Sequence, residues 1–214
     1  TSGARGADWI VIALGWGMAV FVGASVADPS GGHLNPAVTL MLAVNGSLEW
    51  SLVPYYALGQ ILGAMVGAFL AWAAFKQLFD ANNVDDAGNT TGANATTGGI
   101  FFTNPAHPNN GWNAVTEFIA TCVLLMFIAF GPTGGELGPL SYFGVAFVVV
   151  AVGLSLGTPT GYAINPVRDL GPRLMYAFVL PIKDKGTANW SYAWVPVVAP
   201  LLAAVAVGLL SMAL

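Results

Sequence analysis

The dipeptide Asn-Pro stands twice in matching surroundings, 130 positions apart. The first copy is Gly31-Gly32-His33-Leu34-Asn35-Pro36-Ala37 and the second is Gly161-Tyr162-Ala163-Ile164-Asn165-Pro166-Val167. Each follows a long apolar run and a short glycine-containing stretch, and each opens another apolar run. An Asn side chain accepts from the free N–H groups of a helix start. Pro suits the first helical position because its missing N–H would have no intrahelical partner there. The two dipeptides therefore predict two abrupt helix starts. Their setting limits the fold, because the flanking runs carry almost no charge.

Charged residues make up 7% of the chain and hydrophobic residues 56%, whereas a soluble domain carries about a quarter charged residues. Uncharged stretches long enough to cross roughly 30 Å of hydrocarbon lie at Trp9–Ala27, Leu52–Phe75, Leu140–Leu156 and Ala193–Leu214. A fifth, Ala114–Gly131, holds one charge, Glu117. The pattern predicts an all-α, multi-pass membrane protein. A membrane β-barrel would show segments of about 10 residues with alternating polarity, and these runs are apolar on all sides. The net charge of -4 gives no footprint for nucleic acid. The single cysteine, Cys122, lies mid-span, so neither a disulfide framework nor a CxxC metal site is available. Thr1–Asp8 is short and polar, and the run after it has full membrane length, unlike a cleavable leader.

Two shorter helices are predicted between the spans. Asn35–Val44 covers about 15 Å at 1.5 Å per residue, half a bilayer, and Asn45-Gly46 supplies its stop. The second starts at Asn165 and runs toward Phe178, with Gly171-Pro172 limiting its regularity. Residues 113–214 then read as span, span, half-helix, span. Residues 1–76 read as span, half-helix, span. The halves match apart from an opening span in the first, so a further N-terminal helix is expected in the native protein. Trp50-Ser51 and Trp190-Ser191 precede the matched last spans, and Gln60-Ile61-Leu62-Gly63-Ala64 parallels Pro200-Leu201-Leu202-Ala203-Ala204. A complete unit crosses the membrane three times, an odd number, so the repeats run in opposite senses. The half-helices then enter from opposite faces and their Asn-capped ends meet near the midplane.

Residues 77–112, rich in Asn, Thr and Gly, read as a long solvent loop folding partly over the mouth of a pore. Asn89-Thr90-Thr91 and Asn94-Ala95-Thr96 fit the glycosylation triplet, a pattern common by chance in such sequence. Arg5, Lys76, Lys183 and Lys185 fall on the same side as this loop. Positive charge favours the cytoplasmic side, so orientation is taken from the resemblance given below. Gly59, Gly63 and Gly67 form a small-residue face suited to close helix packing, within the repeat or between protomers.

A helix N-terminus exposes unpaired N–H groups and about half a positive charge. Two such ends aimed at one point disfavour a cation there, a hydrated proton included. The amides of Asn35 and Asn165 can donate to a passing oxygen while their carbonyl ends serve the local backbone. The non-helical stretches Ser30–Leu34 and Gly157–Ile164 leave carbonyls free, which is tolerated at membrane depth only beside a wet cavity or inside protein. Arg168, one turn after Asn165, is an expensive charge in a membrane. It is suited to donating to adjacent oxygens and repelling cations. The plain alternative is that it pairs with Asp169 or with nearby carbonyls.

These residues closely resemble the aquaporin superfamily, or major intrinsic proteins, whose signature is two Asn-Pro-Ala-type loops with Arg after the second. The resemblance covers essentially the whole chain, minus the family's first helix. Asp169 after Arg168, and the run from Gly153 through Tyr162 to Asp169, look like the aquaglyceroporin or glycerol facilitator branch. Val167 departs from the usual Ala of the motif. The resemblance implies an aquaporin-like inverted repeat, an extracellular 77–112 loop, a homotetramer and a place in the plasma (inner) membrane. It also implies a selectivity filter of Trp16, Gly153, Tyr162 and Arg168, although the stretch from Trp16 to Asn35 is one residue shorter than in relatives. A Trp in a span is otherwise commonly a packing or interfacial residue. Glu117 is implied as a brace for loop backbone, against the alternative of a proton-coupling acid. His33 is a pore-side or loop-bracing hydrogen-bonder, against the alternative of a pH sensor.

The expected function is passive diffusion of glycerol and other small uncharged solutes, with some water, excluding protons and ions. Two aromatic faces would hold the carbon backbone of a polyol while Arg168 and a carbonyl bind its hydroxyls. Gly153 in place of a bulky His widens the lane. A water-selective relative, or one passing lactic acid, peroxide or urea, is the first alternative. An ion-coupled secondary transporter, which also uses inverted repeats, is the second. His33, Cys122, Glu117 and Asp169 form no local motif of nucleophile and base, so no catalysis, cofactor or metal is expected.

Overall fold

The structure is a computed structural model and describes residues 8–85, 87–131 and 138–214. Among them are eight α-helices: α1 (Asp8–Val26), α2 (Pro36–Val44), α3 (Val53–Ala74), α4 (Lys76–Asn82), α5 (Asn110–Phe130), α6 (Tyr142–Leu156), α7 (Pro166–Phe178) and α8 (Val195–Ala213). Helices α1, α5 and α8, and α3 together with its leading 3-10 turn, are long and apolar enough to cross a membrane. Helix α6 has 15 residues and is preceded by a 3-10 turn at Gly138–Ser141. Large apolar side chains such as Val22, Leu58, Leu70, Leu154 and Leu209 stand exposed on these helices. In water such a surface would aggregate; in hydrocarbon it is the solvated face.

Helix contacts follow the repeat. Helix α1 packs along α6, the matching member of the other half. Each half-helix packs on the last span of the opposite repeat, α2 on α8 and α7 on α3, and also on the last span of its own. The half-helices α2 and α7 touch each other. Helix α5 packs on α8 and α6; among the described residues no helix takes the corresponding place against α3 and α1. Accordingly α3 has one buried residue, Ala68. Gly59, Gly63 and Gly67 have no atom within 4 Å of where a Cβ would stand. Among the described residues, that glycine face has no packing partner within the repeat.

Helix α2 has 9 residues and α7 has 13, short of a full crossing. As the sequence predicts, α7 runs on to Phe178, passing through Gly171-Pro172. The proline removes the hydrogen bond to the carbonyl four residues back, that of Arg168, and its ring crowds that carbonyl. Packing offsets the loss: a Cβ at Gly171 would stand 2.8 Å from the Ala64 Cβ, so the glycine lets α7 and α3 approach closely.

Residues 77–112 are more ordered than a solvent loop. They contain most of α4, a 3-10 segment at Ala93–Ile100 and the start of α5. Phe79, Phe101 and Phe102 are buried against Met175, Tyr176 and Leu180 after the midpoint of α7. Asn94 is 1% exposed and its amide donates to the Phe79 and Lys183 carbonyls, both at 3.0 Å. That burial removes it as a glycosylation acceptor in the folded chain. Apolar anchors scattered through polar sequence have no period to reveal them, which is why the segment reads as a loop.

Candidate functional site

Both caps form as the dipeptides predict. The Asn35 side chain accepts from Ala37 N at 2.9 Å. That of Asn165 accepts from Val167 N at 3.1 Å and Arg168 N at 3.3 Å. Pro36 and Pro166 occupy the first helical positions. Each cap is worth about 1 kcal/mol to its helix. The other end of each amide crosses between repeats: Asn35 Nδ2 donates to the Ile164 carbonyl at 2.8 Å, and Asn165 Nδ2 to the Leu34 carbonyl at 3.0 Å. One N–H of each amide is therefore used in joining the two loops, and one remains for the lane. Leu34 and Ile164, directly ahead of the caps, both have left-handed backbone, with φ of 52° and 44°. For a β-branched residue such as Ile164 this conformation is strained, by about 1–3 kcal/mol. The crossed amide bonds and the brace described next help to hold it.

Glu117, fully buried on α5, accepts from Ala163 N and Ile164 N, one to each carboxylate oxygen, both at 2.8 Å. Both oxygens are thus engaged by the strained loop backbone, as a brace requires. Asp169 is also fully buried and does not pair with Arg168. It accepts from Thr103 N at 2.8 Å, Thr103 Oγ1 at 2.7 Å and Arg173 Nε at 2.7 Å. Arg173 also donates to the carbonyls of Thr103, Ala188 and Asn189, with its guanidinium 4.2 Å from the Phe102 ring centroid. This pair ties α7 to the segments at 101–104 and 188–189. Thr103 in turn packs on Gly161, where a Cβ would lie 3.2 Å from its Cγ2.

The four filter candidates converge. The Arg168 guanidinium carbon lies 3.9 Å from the Trp16 ring centroid. The Tyr162 ring lies over Gly153, where a Cβ would stand 2.8 Å from the ring Cζ. Trp16, Tyr162 and Arg168 line one cavity of about 970 Å³, with Gly153 behind Tyr162. The same cavity is lined by Asn35 and Asn165 and, beyond them, by His33, Tyr56 and Tyr142. Two polar atoms of residues that line it, Arg168 Nη1 and Tyr162 Oη, are themselves buried and have no hydrogen-bond partner among the described residues. Such atoms are costly unless something else bonds to them. His33 stacks on Tyr56 with centroids 4.5 Å apart, and its Nδ1 lies 3.0 Å from Thr39 Oγ1.

The major intrinsic protein family model matches residues 1–211. The chain belongs to the major intrinsic proteins. It is 44% identical over 198 residues to the glycerol uptake facilitator protein of Streptococcus pneumoniae, covering 92% of this chain and 80% of that one. It is 44% identical over 196 residues to the glycerol uptake facilitator protein of Bacillus subtilis, covering 91% of this chain and 68% of that one. The crystal structure of the aquaglyceroporin from Plasmodium falciparum has the same fold, with a TM-score of 0.75 and 29% identity over 98% of this chain and 83% of that one. The protein is accordingly an integral membrane protein with the aquaporin-like inverted repeat, its half-helices meeting at their capped ends.

Three contributors were not singled out from the sequence of this family member. Arg173, completely buried, was signalled only by its place four residues after Asp169. Thr103 carried no signal, because its partner lies 66 positions away. Trp9 read only as the first residue of the Trp9–Ala27 span. The structure directs its indole onto Gly153, whose carbonyl accepts from Trp9 Nε1 at 2.6 Å.

Proposed function

We propose that the protein is a passive channel for glycerol and other small uncharged solutes, with some water, and that it excludes protons and ions. The observation that carries this is one cavity, open along the α3 face at Gly59, Gly63 and Gly67, whose wall holds both Asn35 and Asn165, with their crossed amides, and the Trp16–Tyr162–Arg168 cluster. The names of the related glycerol uptake facilitators support the choice of solute.

At the constriction, the Arg168 guanidinium and a loop carbonyl bind successive hydroxyls, while the apolar faces of Trp16 and Tyr162 receive the CH groups. Few polar groups on an apolar wall orient a solute without trapping it, as fast permeation requires. At the midpoint, the free N–H of each Asn amide donates to the passing oxygen. An oxygen that accepts from both sides turns its own hydrogens away along the lane in both directions, interrupting a proton-conducting chain. The positive ends of α2 and α7 and the Arg168 charge raise the barrier to cations. In this scheme residues 77–112 form the extracellular cover of the lane, and four copies assemble with one pore each. Proton coupling at Glu117 is disfavoured because both its oxygens already hold backbone N–H groups.

Stopped-flow light scattering on proteoliposomes tests the function, with glycerol, water, urea and lactic acid at two pH values. Glycerol permeability well above that of empty vesicles is expected, with no dependence on a proton gradient. Permeability equal to empty vesicles would overturn the function, and flux that follows the gradient would establish the ion-coupled transporter instead. An increase confined to water would establish the water-selective alternative.

A further inference from the structure

Tyr162 is held in an unusual way. Its φ is 38°, a left-handed conformation that costs a non-glycine residue strain. Its ring rests on two glycines one turn apart on the end of α6. A Cβ at Gly153 would lie 2.8 Å from the ring Cζ, and a Cβ at Gly157 would lie 2.8 Å from the ring Cδ1. The shelf is closed by Trp9 from the first turn of α1. The Trp9 and Tyr162 rings meet edge to face, with centroids 5.9 Å apart and planes at 71°. The indole lies so close to Gly157 that a Cβ there would be 2.7 Å from its Cζ2. Trp9 Nε1 donates to the Gly153 carbonyl at 2.6 Å. That carbonyl belongs to the last turn of α6, where helices leave oxygens short of partners.

Trp9 is absent from the cavity wall, whereas Tyr162 is on it. The indole therefore reaches the constriction through the Tyr162 ring and the Gly153 carbonyl, without lining the cavity itself. We infer that Trp9 is a positioning residue for solute selection, a role that rests on the channel function proposed above. It pins α1 to α6 by one hydrogen bond and holds the Tyr162 ring on the glycine shelf, so that the ring keeps a set distance from Arg168 and Trp16. Without the indole, the ring has open space at its edge and can swing back from the lane. The constriction then widens, and larger polyols gain relative to water.

Trp9→Phe keeps an aromatic edge and removes the N–H; Trp9→Ala removes both. Each is reconstituted beside wild type, and water, urea, glycerol and erythritol fluxes are measured in the same vesicles. Each solute flux is divided by the water flux, so that the amount of folded protein cancels. An edge-to-face contact of this kind corresponds to about 3- to 10-fold in a rate ratio. The expected result is a rise of that size in the erythritol-to-water ratio for Trp9→Ala, with Trp9→Phe between it and wild type. If Trp9→Ala does not reconstitute, a rise in Trp9→Phe decides in favour and an unchanged ratio decides against. Ratios equal to wild type overturn the role even if all fluxes fall together, since that is loss of folded protein alone. A falling ratio overturns it as well. Wild-type glycerol flux reports separately on the channel function. If wild type passes water and urea but no glycerol, the choice of solute fails, and the urea-to-water ratio still reads the width that Trp9 sets. No flux of any solute in wild type overturns both.

Discussion

Gly153→Ala is the smallest change that tests the constriction. The added Cβ would stand 2.8 Å from Tyr162 Cζ, 3.0 Å from Oη and 3.1 Å from Cε2. Carbon atoms in good contact are about 3.5 Å apart or more, so the ring must yield by roughly 0.7 Å. The glycine stands behind the ring, away from the cavity, and the tyrosine is on the cavity wall. The displacement is therefore directed into the lane. Overpacking by one methyl costs about 1–3 kcal/mol in a close-packed site. If glycerol meets that cost at its narrowest point, its transit slows by about 5- to 150-fold, at 1.4 kcal/mol per factor of ten. Water, needing less width, loses little. The measurement is glycerol and water permeability of the same proteoliposomes by stopped-flow light scattering. Adding Tyr162→Ser removes the ring and is expected to restore glycerol flux. Equal loss of both permeants in Gly153→Ala would refute the reasoning, and so would failure of Tyr162→Ser to rescue glycerol. A bulkier Gly153→His combined with Tyr162→Ser is expected to suppress glycerol more than water.

Glu117→Gln replaces one accepting oxygen by an amide N–H₂ and leaves the Ala163 or Ile164 N–H unpaired. A loss of about 1–3 kcal/mol is expected, read as a lower Tm in detergent; an unchanged Tm would show that the brace is dispensable. Asp169→Asn leaves the buried Arg173 charge without its counterion. A loss of about 3–5 kcal/mol is expected, again read by thermal unfolding, and a stability equal to wild type would place the holding force elsewhere. The Asp85 carboxyl is held below the usual aspartate range by the Asn89 backbone N–H, then by the Asn89 side chain. Because the folded pKa is the lower one, the turn it closes is supported at neutral pH and loses that support as pH falls through the depressed value. Amide exchange at Ala87 and Asn89, which donate to this carboxylate, is expected to speed up only in acid beyond its intrinsic pH trend.

The elements best foreseen were those specified by a few neighbouring residues. The two half-helix starts were legible because an Asn cap and a Pro at the next position act within one turn. The long spans were legible because crossing hydrocarbon takes a length of uncharged sequence that nothing else requires. Trp16, Gly153, Tyr162 and Arg168 could be named from the resemblance, and the structure brings them to one place. Less was visible where a residue's role depends on direction. Asp169 was grouped with Arg168 as its neighbour in the chain, yet consecutive helical residues do not face each other, and its carboxylate turns to Thr103 and Arg173.

The sequence by itself therefore determined the membrane class, the inverted duplication and the two capped starts. These follow from composition, from an odd number of crossings and from contacts between adjacent residues. Tertiary structure alone decided that the Asn35 amide donates to Ile164 and the Asn165 amide to Leu34, across 129 and 131 positions. It also decided that residues 77–112 bury three phenylalanines, and that Trp9 stands behind Tyr162. The reason is the same in each case. A side chain's type and spacing are written in the chain, but the partner it reaches depends on how two repeats pack, and that packing is settled by many weak contacts at once.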